Sequence, residues 1–366
     1  MIYIHVPFCK SFCTYCGFYS EICSSEKTFL YYTDLVCEEI AARRQEILAT
    51  SKINTLYFGG GTPSVLPLSH IGRIVEALPF DGQSYEEFTV EMNPDDVTVP
   101  LVAGLAALGA NRISLGVQSF DDEILRRMAR RHNADAAVQA VRAVREAGIR
   151  NLSIDLIFGF PSLSDEIWAS TIEKALQLHP EHISCYQLSV EEGSALEKML
   201  QEGRWSEASQ EQCRRQYDYL CTCLRQAGYN HYEVSNFALP GYEAKHNSAY
   251  WSRAPYVGLG PGAHSFDGAL VRRWNSEFGG KNKGYTLSEE KLSAYDVAVE
   301  RLMLGLRTSA GLSAAEIEGI IGPQATREAI SEGLLETANR HSGERRLRIP
   351  EEKFFVSDDI ISTLIP

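Results

Sequence analysis

Three cysteines, Cys9, Cys13 and Cys16, fall within the first sixteen residues, in the stretch YIHVPFCKSFCTYCGFYS. Thiolates are soft donors, and three at this spacing suit zinc or an iron–sulfur cluster. A structural zinc site takes four ligands, so the fourth would have to come from Cys23 or His5. The spacing differs from the paired CxxC of zinc ribbons, and no second pair follows at the usual distance. If the three cysteines hold a four-iron cubane instead, one iron keeps an open position. An open position is how a metal centre does chemistry rather than scaffolding. The remaining cysteines suit other roles. Cys37, Cys185 and Cys213 have apolar surroundings that fit buried thiols, while Cys221 and Cys223 lie two apart on an expected helix and face different sides. An odd total of nine with one tight cluster does not make a disulfide framework and suits a reducing compartment.

The elements that must position these residues follow from the pattern of apolar runs. IYIHV (2–6), NTLYFG (54–59), FTVEMN (88–93), RISLGV (112–117), LSIDLIFG (152–159) and ISCYQLS (183–189) are rich in β-branched and aromatic residues, end near Gly, Pro or Asn, and are expected strands. Helical patterns lie between them at 28–48, 99–108, 134–147, 165–178 and 208–227. In one of these, Val138, Val141, Ala143, Val144 and Ala147 recur at helical spacing before Gly148. Six strand–helix units in series predict a parallel sheet with helical crossovers. Cys9, the glycines after LYF, Glu91, Gln118 and Asp155 all fall at or just beyond strand C-terminal ends, which in a barrel converge on one mouth. The expected fold is therefore α/β, a partial (β/α)6 TIM-like barrel over 1–228. An aromatic, Gly-rich extension over 229–285 follows, then a C-terminal helical, winged-helix-like domain over 286–366. In that last part RRLRI and FFVSDD are expected as short strands around a turn.

Composition excludes several classes. The 366 residues carry a formal charge of −13, which repels nucleic-acid backbones, and the densest basic run, RRMARRH (126–132), suits a solvated helix face. No run approaches a membrane span and no secretory leader pattern stands at the start, so a soluble, cytoplasmic protein is expected.

CxxxCxxC after a first strand, followed by YFGGGTPS after the second, resembles the radical SAM superfamily. In that family the open iron of a [4Fe–4S] cluster chelates the amino and carboxylate groups of S-adenosylmethionine. An electron from the reduced cluster then cleaves it to a 5′-deoxyadenosyl radical. The motifs YIHVPFC, GGGTPS, VEMNPDD, RISLGVQSFDD, SIDLIFGFP and GLGPGAHSF occur in the order of the coproporphyrinogen-oxidase-like branch, over nearly the whole chain. Carried over by position, the resemblance implies that Tyr3, Tyr15, Gly60, Gly61, Thr62, Glu91, Gln118, Arg130 and Asp155 line S-adenosylmethionine sites. Carboxylates there would receive an ammonium or ribose hydroxyls, and a guanidinium would receive a carboxylate. The neighbouring arginines leave the register at Arg130 open by one, and His132 fits either a helix end or the pocket.

Two groups of this branch differ at readable positions. The oxygen-independent coproporphyrinogen III oxidases continue past the third cysteine as Cys-x-Cys and carry an extension before the motif, whereas here the position two after Cys16 is Phe18 and two residues precede Tyr3. The sister group of haem chaperones is similar in both respects and shares an HNxxYW motif, here His246, Asn247, Tyr250 and Trp251. That resemblance implies haem as cargo, recipient haem proteins such as respiratory components, and an electron donor for the cluster. His246 is the leading candidate to bind haem, followed by His264 and His231. The other readings are the porphyrinogen oxidase itself, a related radical catalyst and, from a different class, a zinc-binding interaction protein.

Overall fold

The structure is a computed structural model that describes residues 1–50, 54–80, 84–278, 284–338 and 344–365. Six parallel strands form its centre: β1 (Ile2–Val6), β2 (Thr55–Gly60), β3 (Glu87–Met92), β4 (Arg112–Gln118), β5 (Asn151–Phe158) and β6 (His182–Gln187). They pair in sequence order. Both faces of such strands are covered, which is why they read as unbroken apolar runs. Crossover helices α1 (Glu26–Ala42), α2 (Leu68–Ala77), α3 (Val99–Ala107), α4 (Ala134–Glu146) and α5 (Asp165–Gln177) form the outer layer. A sixth helix, α6 (Gln210–Gln226), follows β6. Thr98, Asn133, Ser164 and Ser209 start their helices by accepting a backbone N–H three residues on. The buried core lies between sheet and helices.

Three expectations need correction. The helix expected over 28–48 ends at Ala42 and resumes as Arg44–Thr50. At the break, Arg43 turns its guanidinium inward to Glu39, Glu46, the Gly258 carbonyl and Ser265 Oγ. The expected boundary at 228 is not a break in the sheet. Strands β7 (Asn230–Glu233) and β8 (Asn236–Ala238) add antiparallel beyond β6, and β9 (Val257–Leu259) adds parallel beside β1, giving the nine-stranded order β9-β1-β2-β3-β4-β5-β6-β8-β7. Residues after 228 thus close both edges of the barrel sheet, because those edges would otherwise leave backbone groups unpaired. FFVSDD is not a strand: Glu351–Val356 is a 3-10 turn and Ser357–Leu364 a helix, with Phe354 buried.

The segment after β9 builds a second antiparallel sheet from β10 (His264–Phe266), β11 (Val271–Asn275) and β12 (Leu287–Lys291). Beyond it come helix Ala294–Leu306, strand Leu312–Ser313, helices Ala314–Ile321 and Pro323–Ser331, and strands Glu336–Ala338 and Arg346–Arg348. That is a winged-helix-like order of elements.

Candidate metal and cofactor site

The three clustered cysteines leave β1 at the barrel mouth. Phe8–Cys9 pairs with Glu21–Ile22, which folds the loop between them back on itself. Backbone bonds tie this loop down: Thr14 N–H donates to Met128 O (3.1 Å), and Thr14 O accepts from Leu196 N–H (2.9 Å). Lys10 pairs with the nearly buried Asp96 at 2.5 Å, and Ser64 donates to the same carboxylate. Cys9 is buried with its sulfur 3.4 Å from Thr62 Oγ1. The glycine turn after β2 passes close beneath it. A Cβ on Gly61 would stand 2.8 Å from Phe8 O and 3.1 Å from Cys9 Sγ, and Gly60 holds a φ of +113° against the His5 ring.

A polar chain joins the cysteines to the next strand ends. Asn93, just past β3, donates to Thr62 Oγ1 (3.1 Å) and accepts from Arg130, whose guanidinium also donates to Cys13 Sγ (3.2 Å) and Gly116 O. The arginines of RRMARRH differ in their partners. Arg126 and Arg127 pair with Glu123 and Arg131 with Asp95 and Asp96, so Arg130 alone of these four faces the cysteines. Its buried Nε has no partner among the described residues. His132 is a helix-end group: its Nε2 donates to Val117 O, and burial lowers its pKa to about 4. Burial raises the Cys16 thiol, a backbone N–H at Phe18 opposes this, and Cys13 and Cys9 add to it, so the three sulfurs lie within electrostatic reach. Tyr15 stands beside Cys13 and Cys16, its hydroxyl pushed upward chiefly by burial.

These residues fit an iron–sulfur cluster with a bound anion. The loop supplies three soft donors, the glycine turn leaves room, and Arg130 offers an unsatisfied buried donor. Among the described residues no three His, Cys, Asp or Glu side chains converge as ligands of one metal ion. In a cubane each cysteine takes a different iron, so wider spacing is what that chemistry asks for. Cys23 does not join the set. Its backbone N–H donates to Cys9 O, but its sulfur faces Ser25 N–H at 3.4 Å.

Two carboxylates lie deeper in the mouth. Glu91 accepts from Tyr57 OH (2.6 Å) and Gly60 N–H (3.2 Å), yet burial raises its pKa to about 7, with Asp155 adding to the rise. Asp155 accepts from Ser114 Oγ (3.2 Å), and burial raises it as well. Gln118 ends β4 with a φ of +68°, a strained conformation for a residue with a side chain. Tyr3 OH donates to His5 Nδ1 (3.1 Å), while His5 Nε2 donates to Tyr19 O (3.2 Å). Two residues were not anticipated. Asn93 lies two positions after Glu91, at a strand end where the same positional rule applies. Arg112 begins β4 inside the barrel, fully buried among Glu87, Tyr57, Tyr232 and Asp155 with its Nε unpartnered, and the apolar run around it hides it.

The structure separates His246 from this group. Helix α7 (Lys245–Trp251) covers the opposite, N-terminal end of the barrel, and the His246 side chain is fully buried there. Its Nδ1 bonds Thr55 Oγ1 and its Nε2 bonds Tyr250 OH, both at 2.9 Å, at the start of β2. With both nitrogens engaged and no exposure, the imidazole has no lone pair to offer an iron. His231 is likewise structural, stacked on Phe237 at 4.1 Å and within 3.3 Å of Tyr217 OH. His264 is exposed, beside a cavity.

The Radical SAM superfamily model matches residues 3–175. Heme chaperone HemW of Synechocystis sp. is 35% identical over 333 residues, covering 87% of this chain and 80% of its own. Heme chaperone HemW of Lactococcus lactis is 32% identical over 380 residues, covering 99% of this chain and 96% of its own. The solved structure of coproporphyrinogen III oxidase HemN from Escherichia coli, a radical SAM enzyme, aligns with a TM-score of 0.78 over 99% of this chain and 89% of that one. At 20% identity that likeness bears on the fold alone. With relatives of this identity along most of its length and a cysteine loop at the mouth of the matching barrel, the chain belongs to the HemW family of the radical SAM superfamily.

Proposed function

We propose that the protein is a haem chaperone: it binds haem as cargo and passes it to haem-requiring recipients, respiratory proteins among them. The observation that carries this reading is the 32% identity, along nearly the whole chain, to a relative named a haem chaperone. In this reading Cys9, Cys13 and Cys16 hold a [4Fe–4S] cluster, and S-adenosylmethionine occupies the mouth beside it. When bound, the pair supplies a one-electron route to a 5′-deoxyadenosyl radical. Arg130 receives the carboxylate, using the nitrogen that now lacks a partner. Glu91, with its pKa near neutrality, gives up its proton when an ammonium arrives. Gly60 and Gly61 let backbone groups approach, Thr62, Tyr3 and Tyr15 line the site, and Gln118 and Asp155 take hydroxyls. An electron donor reaches the cluster over the cysteine loop, where Phe12 and Phe18 are exposed.

The barrel over 1–228 and the extension over 229–285 do the binding, and the C-terminal domain over 286–366 docks partners other than nucleic acid, in keeping with the charge of −13. No described helix is long and apolar enough to cross a membrane, and we place the work in the cytoplasm with peripheral contact to membrane recipients.

The test is anaerobic reconstitution with iron and sulfide, followed by haem titration. Stoichiometric haem on a protein that carries iron and sulfide is expected. Tight zinc without iron, or conversion of coproporphyrinogen III to protoporphyrinogen by the reduced protein with S-adenosylmethionine, would overturn the reading.

A further inference from the structure

A cavity of about 520 Å³ lies between the cysteine loop and the second sheet, lined among others by Phe18, Tyr19, Tyr250, Tyr256, His264 and Trp274. Its size falls in the range of cofactor sites, roughly 300–1,000 Å³. We propose that this cavity is the haem site and that the His264 imidazole is the protein's ligand to the haem iron. The proposal rests on the chaperone reading above and names the place and ligand that the reading leaves open.

A haem pocket needs flat apolar walls and a nitrogen donor that is not already bonded. Several histidines fail the second condition. His5, His182 and His246 each have both ring nitrogens engaged, and His70 bonds Thr33 and Glu26. His132 and His231 each keep an unbonded Nδ1, but both rings are buried with Nε2 against a carbonyl and neither lines the cavity. His179 and His264 are the exposed histidines among the described residues, and of these His264 lines the cavity. No described hydrogen bond engages its ring. Partial desolvation at the cavity wall, followed by the charge of Arg272, lowers its pKa below the usual histidine value, which favours the neutral form that binds metal.

Strand pairing fixes the geometry. His264 and Trp274 are direct cross-strand partners, so imidazole and indole stand side by side on one face of the sheet. The next residues along, Ser265 and Asn275, point the other way and hold the strands to the barrel. Ser265 accepts from Arg43, and Asn275 donates to Glu39 and the Gly260 carbonyl. The sheet is therefore clamped on one face and presents its ligand on the other. Gly262 keeps the entrance clear: it adopts a φ of +77°, and a Cβ there would stand 2.9 Å from the Tyr19 ring.

The HNxxYW helix contributes a wall rather than a ligand. His246 holds the Tyr250 hydroxyl, and the Tyr250 ring meets Tyr256 edge-on at 4.8 Å on the cavity side. The opposite wall, Gly17 to Tyr19, continues directly from Cys16, so cargo would touch the cluster loop itself.

The experiment titrates ferric haem into the reconstituted full-length protein and its His264→Gly variant. The wild type is expected to bind one haem with a histidine-ligated absorption spectrum. His264→Gly should lose that spectrum and bind at least about 10-fold more weakly, and added imidazole should restore the spectrum. Its iron and sulfide content should match the wild type, which reports intact folding. If that content falls, Trp274→Leu serves instead, with weakened binding but an unchanged ligand spectrum expected. Unchanged haem affinity in that variant would overturn the proposal. Identical haem binding by wild type and His264→Gly would overturn the proposal and leave the chaperone reading standing. Failure of the wild type to bind haem would overturn both.

Discussion

The two ends of the barrel are built from the same kinds of residue and treat them in opposite ways. At the N-terminal floor, most polar groups satisfy one another, with the Nε of Arg112 and the Oδ1 of Asn151 the exceptions at the starts of β4 and β5. Glu87 accepts the backbone N–H groups of Lys245 and His246, His246 spans Thr55 and Tyr250, and His182 spans Ser153 and Tyr232. At the C-terminal mouth, groups are held short of satisfaction. Glu91 and Asp155 are buried carboxyls raised by desolvation, Arg130 has an idle Nε, and Gln118 is strained. Buried groups without partners are costly, so they persist where a ligand completes them. The difference separates a floor that holds the protein together from a mouth that waits for something to bind.

The sharpest way to break that comparison is to remove ligands at the mouth. Cys9→Ser, Cys13→Ser or Cys16→Ser should each abolish essentially all cluster iron after anaerobic reconstitution. Cys23→Ser should retain it, because its sulfur faces Ser25 rather than the other three. Iron and sulfide analysis decides both halves. A Cys23 variant that loses its iron would make that residue a fourth ligand.

The floor should answer in stability instead. His246→Ala removes two buried hydrogen bonds and opens a cavity, a loss of about 3 kcal/mol. Thermal or urea unfolding measures it. Iron content and the haem spectrum of the remaining folded protein should stay those of the wild type. A changed ligand spectrum with unchanged stability would move His246 from the floor's role to that of the mouth.

How legible the two ends were in sequence follows from the same physics. Buried parallel strands are long apolar runs, so all six central strands stand within one or two residues of expectation. The strands at the sheet edges are three or four residues long and form only because a distant partner is there: Val257–Leu259 needs β1, and Asn236–Ala238 needs β6. Mouth residues were legible because chemistry placed at strand C-terminal ends follows a positional rule. Asn93 obeyed that rule unnoticed, and Arg112 falls outside it, at the start of RISLGV and not at its end. HNxxYW is legible as a motif, but nothing in its residues says which end of a barrel it covers. The burial of His246 and the engagement of both its nitrogens follow from that placement, which the motif does not disclose.

A smaller effect tests the mouth's carboxyl by pH. Glu91 titrates near 7 when folded, against an ordinary value of 4.5, because burial disfavours its charge. The folded chain thus holds this proton through a window in which the unfolded chain releases it. The resulting stabilisation is full below about pH 4.5 and is lost as pH rises through about 7. The carboxyl is shut away but the residue as a whole is partly exposed, and that screening trims the worth of the shift to about 2 kcal/mol. Urea midpoints at pH 5 and 8 should show the wild type losing that much relative to Glu91→Gln. Parallel profiles would mean that Glu91 is already ionised and partnered. Glu233, also raised to about 7, stays in both proteins and cancels in the comparison.

The smallest effect has the opposite sign from most mutations. Gln118 holds φ at +68° at the end of β4, and its amide nitrogen lies 3.0 Å from where a Cβ on Gly116 would stand. A left-handed conformation costs a side-chain-bearing residue about 1 kcal/mol, and glycine adopts it freely. Glycine also gives the unfolded chain more freedom, which offsets part of the gain. Gln118→Gly should therefore leave the protein equally stable or more stable by up to about 1 kcal/mol. The same change removes the amide from the mouth and should weaken S-adenosylmethionine binding by about tenfold, the worth of one buried hydrogen bond. Unfolding and calorimetric titration, run on the same preparation, read the two quantities separately. Stability lost with affinity kept would show that the strained turn serves the fold, and the division between floor and mouth would fail at this residue.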